Sequence, residues 1–266
     1  MIIGISGLCI DSEGRKRSAG SGKGEAAKQL IDKHKLIEIA WADPMKRFLQ
    51  EVYEFTDTQL WGTTEDKAKP DPRYVQIKAG ALGTMCDKPN PPEDIHLTPR
   101  HAMQSLGTGW GRSCYSDTWV DYGIRTAQAL IADFGLTYTP KHGLYAATTP
   151  VERLRRDNMA GVVFTDVRYP NEFSAIRKAG GKMIRITRVL RTPFDMESMD
   201  HEHSSETGLL DYDDKDFHYV IDNFGSPKNL YDMVDTMMDV FKGKILPYDA
   251  SQADIPPFMR QRRRMI

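Results

Sequence analysis

A cluster of glycine, serine and lysine at residues 18–23 constrains this chain more than any other feature. It follows an apolar run at residues 1–5 and precedes residues 24–34, whose apolar side chains recur with helical spacing. At such a junction, backbone N–H groups and the helix dipole bind phosphate oxygens, and Lys23 reaches the transferred phosphate. A flexible strand-to-helix connection has a similar composition, but the position directly behind the first strand favours a phosphate-binding loop.

Two departures distinguish the cluster from a standard P-loop, which has four residues between its first glycine and its Gly-Lys pair. Gly7 and Gly22 enclose 14 residues, so we expect ten inserted residues that bulge out around positions 9–17. Gly24 stands where Ser or Thr usually binds Mg²⁺, and Glu25 follows it. The protein ligand of the metal therefore stays open at this point.

The charge balance argues against a surface that binds a large polyanion. The 36 lysines and arginines are offset by 37 aspartates and glutamates, which leaves a net charge of −1. Anion binding therefore has to be local, and we expect no nucleic-acid partner. The basic run at residues 15–17 is either a solvated loop or a source of such local phosphate ligands.

The cysteines and the amino terminus indicate the cellular compartment. Cys9, Cys86 and Cys114 are odd in number and form no CxxC pair, which argues against a disulfide framework and a four-ligand zinc site. The first residues lack the basic lead of a signal peptide, and no run approaches 18 apolar residues. We therefore expect a soluble cytoplasmic protein with no membrane partner.

Apolar periodicity predicts an α/β fold. Five short apolar runs have the length of buried strands: residues 1–5, 36–42, 162–165, 182–187 and 219–222. Helical spacing is found in residues 24–34, 172–181 and 229–241. Because strands alternate with helices, we expect a parallel five-stranded sheet of the P-loop NTPase type, flanked by helices.

The region between the second and third predicted strands breaks this alternation. Residues 44–160 contain proline clusters and a polar, glycine-punctuated stretch, so we expect a largely helical insertion over the sheet. The core would then comprise residues 1–43 and 161–242. Residues 243–266 contain several prolines and four arginines and are predicted to form an extended tail.

A second candidate group follows the third predicted strand. Asp166 comes directly after an apolar run, and the carboxyl ends of parallel strands are where an open sheet places its ligands. This is the position of a Walker B aspartate, which holds Mg²⁺ directly or through water. Arg168 and Glu172 lie next to it. The alternative is that Asp166 caps the following helix and pairs with Arg168.

These residues belong to a wider set of sequence blocks that resembles the bacteriophage deoxynucleoside monophosphate kinases, a branch of the P-loop nucleotide kinases. The blocks cover nearly the whole predicted core and insertion: residues 2–7 with 17–25, 41–46, 99–108, 117–120, 165–172, 203–206 and 222–226. The ten-residue insertion, Gly24 and the tail after about Lys242 depart from the family pattern.

The resemblance implies an ATP- and Mg²⁺-dependent enzyme that phosphorylates deoxynucleoside 5′-monophosphates and so supplies precursors for phage DNA synthesis. The catalytic side chains would be Lys23, Asp166, Arg168 and Arg100. ATP would be bound by Gly20, Ser21, Gly22, Lys23, Gly24, Glu25, Arg188, Asn223 and Gly225. Mg²⁺ would be held by Asp166, with Glu25 as a second candidate.

The acceptor nucleotide would be bound by the helical insertion and by the end of the third strand. The residues implied are Asp43, Lys46, Arg100, Gln104, Trp119, Arg168 and Glu172. Trp119 either stacks on the base or belongs to the core of its helix. Glu172 either orients the sugar or positions Arg168.

The resemblance further implies a lid at about residues 188–217 and a homodimer. Arg185, Arg188 and Arg191 would fold over the phosphates and exclude water, although Arg185 also fits a strand edge that faces solvent. His201 and His203 are interpreted as hydrogen-bonding residues of the lid, since no third metal ligand lies near them.

Two other functions stay open at this point. A related P-loop kinase would act on a different acceptor, either dephospho-coenzyme A or a modified base in phage DNA. A nucleic-acid-binding protein that uses its nucleotide site as a switch would explain the arginines at residues 260–264, but the net charge of −1 gives it little support.

Overall fold

The computed structural model describes residues 1–75, 96–194 and 208–244. Its eight strands are β1 (Ile2–Ile10), β2 (Lys16–Arg17), β3 (Leu36–Glu38), β4 (Leu136–Thr139), β5 (Gly143–Ala146), β6 (Gly161–Phe164), β7 (Lys182–Val189) and β8 (Tyr219–Asp222). The main sheet has the order β3-β6-β1-β7-β8, and these five strands are parallel. The predicted α/β architecture with a mainly parallel sheet is therefore confirmed.

Nine α-helices connect or flank these strands in the described part of the chain. They are α1 (Lys23–Asp32), α2 (Asp43–Tyr53), α3 (Asp57–Trp61), α4 (Thr64–Ala68), α5 (Pro99–Gln104), α6 (Thr118–Ala132), α7 (Pro150–Asp157), α8 (Pro170–Lys178) and α9 (Pro227–Phe241). A π-helix, Ser105–Arg112, continues α5, and a short 3-10 helix covers Asp214–Asp216. None of the helices in the described ranges is long and apolar enough to cross a bilayer.

β1 lies in the middle of the sheet and is buried on both faces. On one face, Ile3 and Ile5 pack with apolar residues of α1 and α9, including Leu30 and Val234. On the other face, Ile2 belongs to a cluster formed with α6 and α8. The sequence of a parallel strand is a continuous apolar run when helices cover both faces of the sheet. The short apolar runs therefore located these strands.

The inserted residues before the predicted phosphate-binding loop (residues 18–23, here called the phosphate loop) form a β-hairpin rather than the expected bulge. β1 does not end at residue 5 but continues to Ile10, and the chain returns through β2, with Cys9 opposite Arg17. Asp11 organises the turn, because its carboxylate accepts hydrogen bonds from the backbone N–H groups of Glu13 (2.9 Å) and Arg15 (2.8 Å). The antiparallel β2 gives the sheet a sixth strand that the periodicity did not predict.

The region of residues 44–160 is mostly helical where the structure describes it, and it contains a small apolar cluster. Leu49, Phe55, Leu60 and Ala102 are buried together between α2, α3 and α5. The β4–β5 hairpin was not predicted. Residues 76–95, 195–207 and 245–266 lie outside the described residues, and these include much of the predicted lid, its two histidines and nearly all of the predicted tail.

Candidate functional site

The phosphate loop lies directly on β1, in spite of the inserted hairpin. Gly20 and Gly22 have φ values of 79° and 96°, in the left-handed region that glycine adopts without strain. A Cβ atom on Gly7 would lie 2.4 Å from Ser21 Oγ and 2.6 Å from the carbonyl oxygen of Ser18. The missing side chain at Gly7 therefore lets the loop rest on the strand, and α1 begins immediately after the loop at Lys23.

Asn223 joins the loop to the far end of the sheet. Its Nδ2 donates a hydrogen bond to the carbonyl oxygen of Ser21 at 2.8 Å, and a Cβ on Gly22 would lie 2.2 Å from the same nitrogen. Arg188 is exposed near the end of β7, next to Cys9 in the sheet register. Gly225 is exposed between β8 and α9. The predicted ATP-binding residues therefore lie around one end of α1, along the carboxyl edge of β1, β7 and β8.

Asp166 connects the phosphate loop to a second group of residues. It follows β6, and its carboxylate is bonded to Lys23 Nζ on one oxygen and to Arg168 Nε, at 2.7 Å, on the other. Lys23 Nζ also donates to Ser18 Oγ at 3.1 Å. Desolvation by the surrounding protein raises the pKa of Asp166, but the charges of Lys23 and Arg168 outweigh it, so this pKa lies below its ordinary value. The carboxylate is ionised at neutral pH.

A cleft of about 580 Å³ opens on the Arg168 side of this group. It lies between the sheet edge, α2, α5, the π-helix and α6. Six of the residues predicted for catalysis or acceptor binding line it: Arg100, Gln104, Trp119, Asp166, Arg168 and Glu172. A cleft of this volume accommodates a small organic ligand.

Two residues predicted to bind the acceptor, Asp43 and Lys46, are not among those that line this cleft. Asp43 is buried and accepts hydrogen bonds from Tyr138 Oη at 2.8 Å and from the backbone N–H of Ala40 at 3.0 Å. It thereby fixes the β4–β5 hairpin against α2. Burial lowers the pKa of Lys46, whose ammonium lies 5.7 Å from the ring centroid of Trp61.

Trp119 contacts both the cleft and the interior. Its indole N–H donates to the carbonyl oxygen of Gly107 at 2.9 Å, and 8% of the residue is exposed. A Cβ on Gly111 would lie 2.4 Å from the indole ring, so the ring packs closely on the π-helix. Trp119 therefore serves as a wall of the cleft and as a core residue of α6.

Glu172 is buried at the base of the cleft, where it organises the backbone after Asp166. One carboxylate oxygen accepts the N–H groups of Arg168 at 2.8 Å and Tyr169 at 3.2 Å. The other oxygen accepts a hydrogen bond from Arg112 Nη2 at 2.8 Å. Burial is the largest influence on Glu172 and raises its pKa in spite of these donors.

Sequence reasoning missed Arg112, Tyr169 and Trp41, which also line the cleft. The Arg112 guanidinium lies 3.8 Å from the ring centroid of Tyr169, and Trp41 stacks on Phe164 at 4.1 Å between centroids. Arg112 follows a glycine-punctuated stretch that carries no helical periodicity, and the π-helix that presents it has no signal in the sequence. Tyr169 adjoins Arg168 and Trp41 lies two residues before Asp43, and this proximity was the available signal.

Asp166 offers carboxylate oxygens of the kind that Mg²⁺ prefers. It also lines a second depression of about 390 Å³ together with Lys23, Gly24, Glu38 and Thr165. Glu25, the other predicted ligand, accepts a hydrogen bond from Tyr231 Oη at 2.5 Å and lies on the exposed side of α1. Within the described ranges, no group of three or more His, Cys, Asp or Glu side chains could hold a metal ion. A metal at Asp166 would therefore take its remaining ligands from phosphate oxygens and water.

Comparison with curated proteins finds a related sequence over most of the chain. A protein of Acanthamoeba polyphaga mimivirus is 28% identical over 220 residues, which are 83% of this chain and 92% of that protein. It is named "Putative deoxynucleotide monophosphate kinase". The similarity supports a nucleotide kinase. The relative comes from a giant virus, so the phage origin that the sequence blocks suggested stays a prediction.

No protein-family profile matches the chain. The mainly parallel sheet, with helices on both faces and a glycine-rich loop behind β1, is compatible with a P-loop kinase fold. The name of the relative suggests a phosphotransferase, and the fold is compatible with one.

Proposed function

We propose that the protein transfers the γ-phosphoryl group of ATP to a deoxynucleoside 5′-monophosphate and produces the diphosphate. The observation that carries the proposal is the chain of contacts Lys23–Asp166–Arg168. It joins the phosphate loop on one side to a cleft lined by arginines on the other. Donor phosphates bound at the loop and an acceptor phosphate bound in the cleft would meet at Asp166 and its two cationic partners.

The donor phosphates would be bound mainly by backbone groups. N–H groups of the loop between Gly20 and Gly24 and the amino end of α1 favour the phosphate oxygens, because they carry partial positive charge. The Lys23 ammonium lies at the same end of the helix. Mg²⁺, when bound at Asp166, would neutralise charge on the β- and γ-phosphates. Replacing the usual hydroxyl by Gly24 leaves Asp166 as the protein's principal contribution to the metal.

The acceptor would lie in the 580 Å³ cleft with its phosphate towards Arg100 and Arg168. A guanidinium donates two parallel hydrogen bonds to a phosphate, and it keeps its charge at any physiological pH. The wall formed by Trp41, Trp119 and Met103 is apolar and suits a nucleobase, and the amide of Gln104 offers a donor and an acceptor to a base edge.

Phosphoryl transfer needs little covalent chemistry from the protein. The acceptor phosphate oxygen attacks the γ-phosphorus, the bond to the β-phosphate oxygen breaks, and ADP leaves with that electron pair. Lys23 and Arg168 would stabilise the charge that spreads over the transferred group, while Asp166 holds both cations in place. Glu172 would act on Arg168 through the backbone rather than on the sugar.

A second candidate acceptor is favoured by the positive charge of the cleft alone. Dephospho-coenzyme A also presents phosphate and adenine, and its transfer chemistry is the same, but its pantetheine arm needs a long groove. Two observations favour the nucleotide: the resemblance of residues 99–108 to the nucleotide kinases of phages, and the name of the mimivirus relative.

The proposal is tested by coupled measurement of ADP release. The acceptors are dAMP, dGMP, dCMP and dTMP, their ribose counterparts and dephospho-coenzyme A, each with ATP and Mg²⁺. We expect turnover with at least one deoxynucleotide, and loss of about 10²–10³-fold in kcat for Lys23→Ala and Arg168→Ala. Arg125→Ala, which removes an exposed charge from α6, serves as the control and should retain full activity. Turnover of dephospho-coenzyme A alone would refute the proposal.

A further inference from the structure

Arg112 is a charged residue of the cleft to which the proposed reaction assigns no role. α5 continues without a break into the π-helix Ser105–Arg112, and Arg112 is its last residue. Stretches of π-helix are uncommon and recur at functional sites. Two glycines hold this one against its neighbours: a Cβ on Gly107 would lie 2.9 Å from Met45 Sδ, and one on Gly111 would lie 2.4 Å from Trp119. The backbone that presents Arg112 is therefore held in place by close packing.

The Arg112 side chain is fixed from two sides. Its guanidinium lies over the ring of Tyr169, 3.8 Å from the centroid, and Nη2 donates to Glu172 Oε1 at 2.8 Å. The second oxygen of Glu172 accepts the backbone N–H groups of Arg168 and Tyr169. One buried carboxylate thus connects Arg112 to the backbone of Arg168. A planar guanidinium held in this way loses little conformational entropy when it binds an anion.

The charge of the cleft matches a phosphate monoester. Its lining contains four cationic residues and two acidic ones, an excess of two positive charges: Lys67, Arg100, Arg112 and Arg168 against Asp166 and Glu172. A phosphate monoester carries a charge of about −1.5 to −2 at pH 7. The two acidic residues of the lining balance two of its four positive charges. A bound dianion would balance the other two.

We propose that Arg112 binds the phosphate of the acceptor nucleotide and that Glu172 is a positioning residue for both Arg112 and Arg168. This inference rests on the proposed function, because it names the contact that the same acceptor makes. Glu172 fixes the Arg112 guanidinium directly and the backbone from which the Arg168 side chain extends, and both arginines line the same cleft. The excess of two positive charges in the lining suits a phosphate monoester dianion as the acceptor group.

Steady-state kinetics with Arg112→Lys test the inference. Lysine keeps the charge but loses the planar fork and the stacking on Tyr169. We expect the KM of the deoxynucleotide to rise about tenfold or more, since hydrogen bonds between charged groups are lost, while the KM of ATP stays within about twofold. Arg125→Lys is the matched control on α6 and should change neither constant. Equal rises in both KM values, or no change, would overturn the inference.

Glu172→Gln supplies a second variant that keeps the size of the side chain. It should raise the acceptor KM in the same way, and the double variant Arg112→Lys/Glu172→Gln should show less than the product of the two single effects, because both changes disrupt one unit. Fully multiplicative effects would show that Glu172 does not position Arg112. Urea unfolding of each variant establishes that the fold is retained.

Failure of the proposed function can be distinguished from failure of this inference. If the wild-type protein turned over none of the nucleotides, the proposed function would fall, and calorimetric titration with dAMP, dGMP, dCMP and dTMP would still test Arg112. Binding at least tenfold weaker in Arg112→Lys than in the wild-type protein would support its role as a phosphate ligand. Equal affinities, or no binding to the wild-type protein, would refute it.

Discussion

Gly7→Ala is the perturbation that most directly tests how the phosphate loop is supported. The loop is separated from Gly7 by the hairpin, yet it returns to rest on this residue. The added Cβ would lie 2.4 Å from Ser21 Oγ and 2.6 Å from the Ser18 carbonyl oxygen. Atoms at van der Waals contact are about 3.5–4.0 Å apart, so the loop would have to move by roughly 1 Å or more. The Ser21 side chain cannot take up the strain alone, because the second contact is with backbone.

The size of the effect follows from these distances. Overpacking of a buried site costs about 1–3 kcal/mol in the free energy of unfolding, and a catalytic group misplaced by about 1 Å costs about 10²-fold in rate. We therefore expect a lower urea midpoint and a loss of about 10²-fold in kcat/KM for ATP. The matched control is Gly24→Ala, where an added Cβ meets no described atom within 4 Å. It should leave stability unchanged or raise it by up to about 1 kcal/mol, because alanine favours helix.

Urea unfolding and ATP kinetics of the two variants show whether the phosphate loop depends on Gly7. If Gly7→Ala had the wild-type urea midpoint and kcat/KM, the loop would not depend on Gly7, and the equivalence of this glycine to the first glycine of a P-loop would be wrong.

Three further changes probe the metal, the hairpin and the acceptor region. Gly24→Ser restores the hydroxyl that a standard P-loop offers to Mg²⁺, so half-maximal activity should need less Mg²⁺; an unchanged requirement would argue against metal binding at this end of α1. Burial opposes ionisation of Asp11, but hydrogen bonds from Phe194 and Arg15 lower its pKa to about 2. Its carboxylate therefore stabilises the fold above about pH 4 and loses this effect as the pH falls towards 2. Asp11→Asn should lower the urea midpoint clearly at pH 7 and much less at pH 2; equal losses at both pH values would refute the assignment. Tyr138→Phe removes a buried donor from Asp43 and should cost about 1–3 kcal/mol in unfolding free energy, and a loss below about 0.5 kcal/mol would contradict this role.

The parallel strands could be predicted from sequence because helices cover both faces of the sheet. The predicted strand at residues 219–222 coincides with β8, and the run at residues 162–165 is shifted by one residue in β6. β1 was predicted five residues too short, since Ser6 and Gly7 interrupt the apolar run. Ser6 is buried in the structure, opposite Arg185 of β7 in the sheet register, and such tertiary burial leaves no local signal.

The site could be predicted where it depends on strand ends, and not where it depends on packing between distant segments. The rule that ligands lie at carboxyl ends of parallel strands locates Asp166 and Arg168 without further information. Arg112 forms a hydrogen bond with Glu172, which lies 60 residues later in the sequence. The π-helix that presents Arg112 depends on glycines that pack closely against Met45 and Trp119. No periodicity in the sequence encodes such a contact.

A label on the γ-phosphorus of ATP shows directly where the transferred phosphoryl group goes. The protein would be incubated with Mg²⁺, ATP labelled at the γ-phosphorus and an equimolar mixture of the four deoxynucleoside monophosphates, and the products would be separated. We expect label in the β-phosphate of a deoxynucleoside diphosphate, with one ADP formed for each, and transfer at least about 10²-fold slower with Lys23→Ala. Label found only in inorganic phosphate, at the same rate with and without the acceptors, would contradict it.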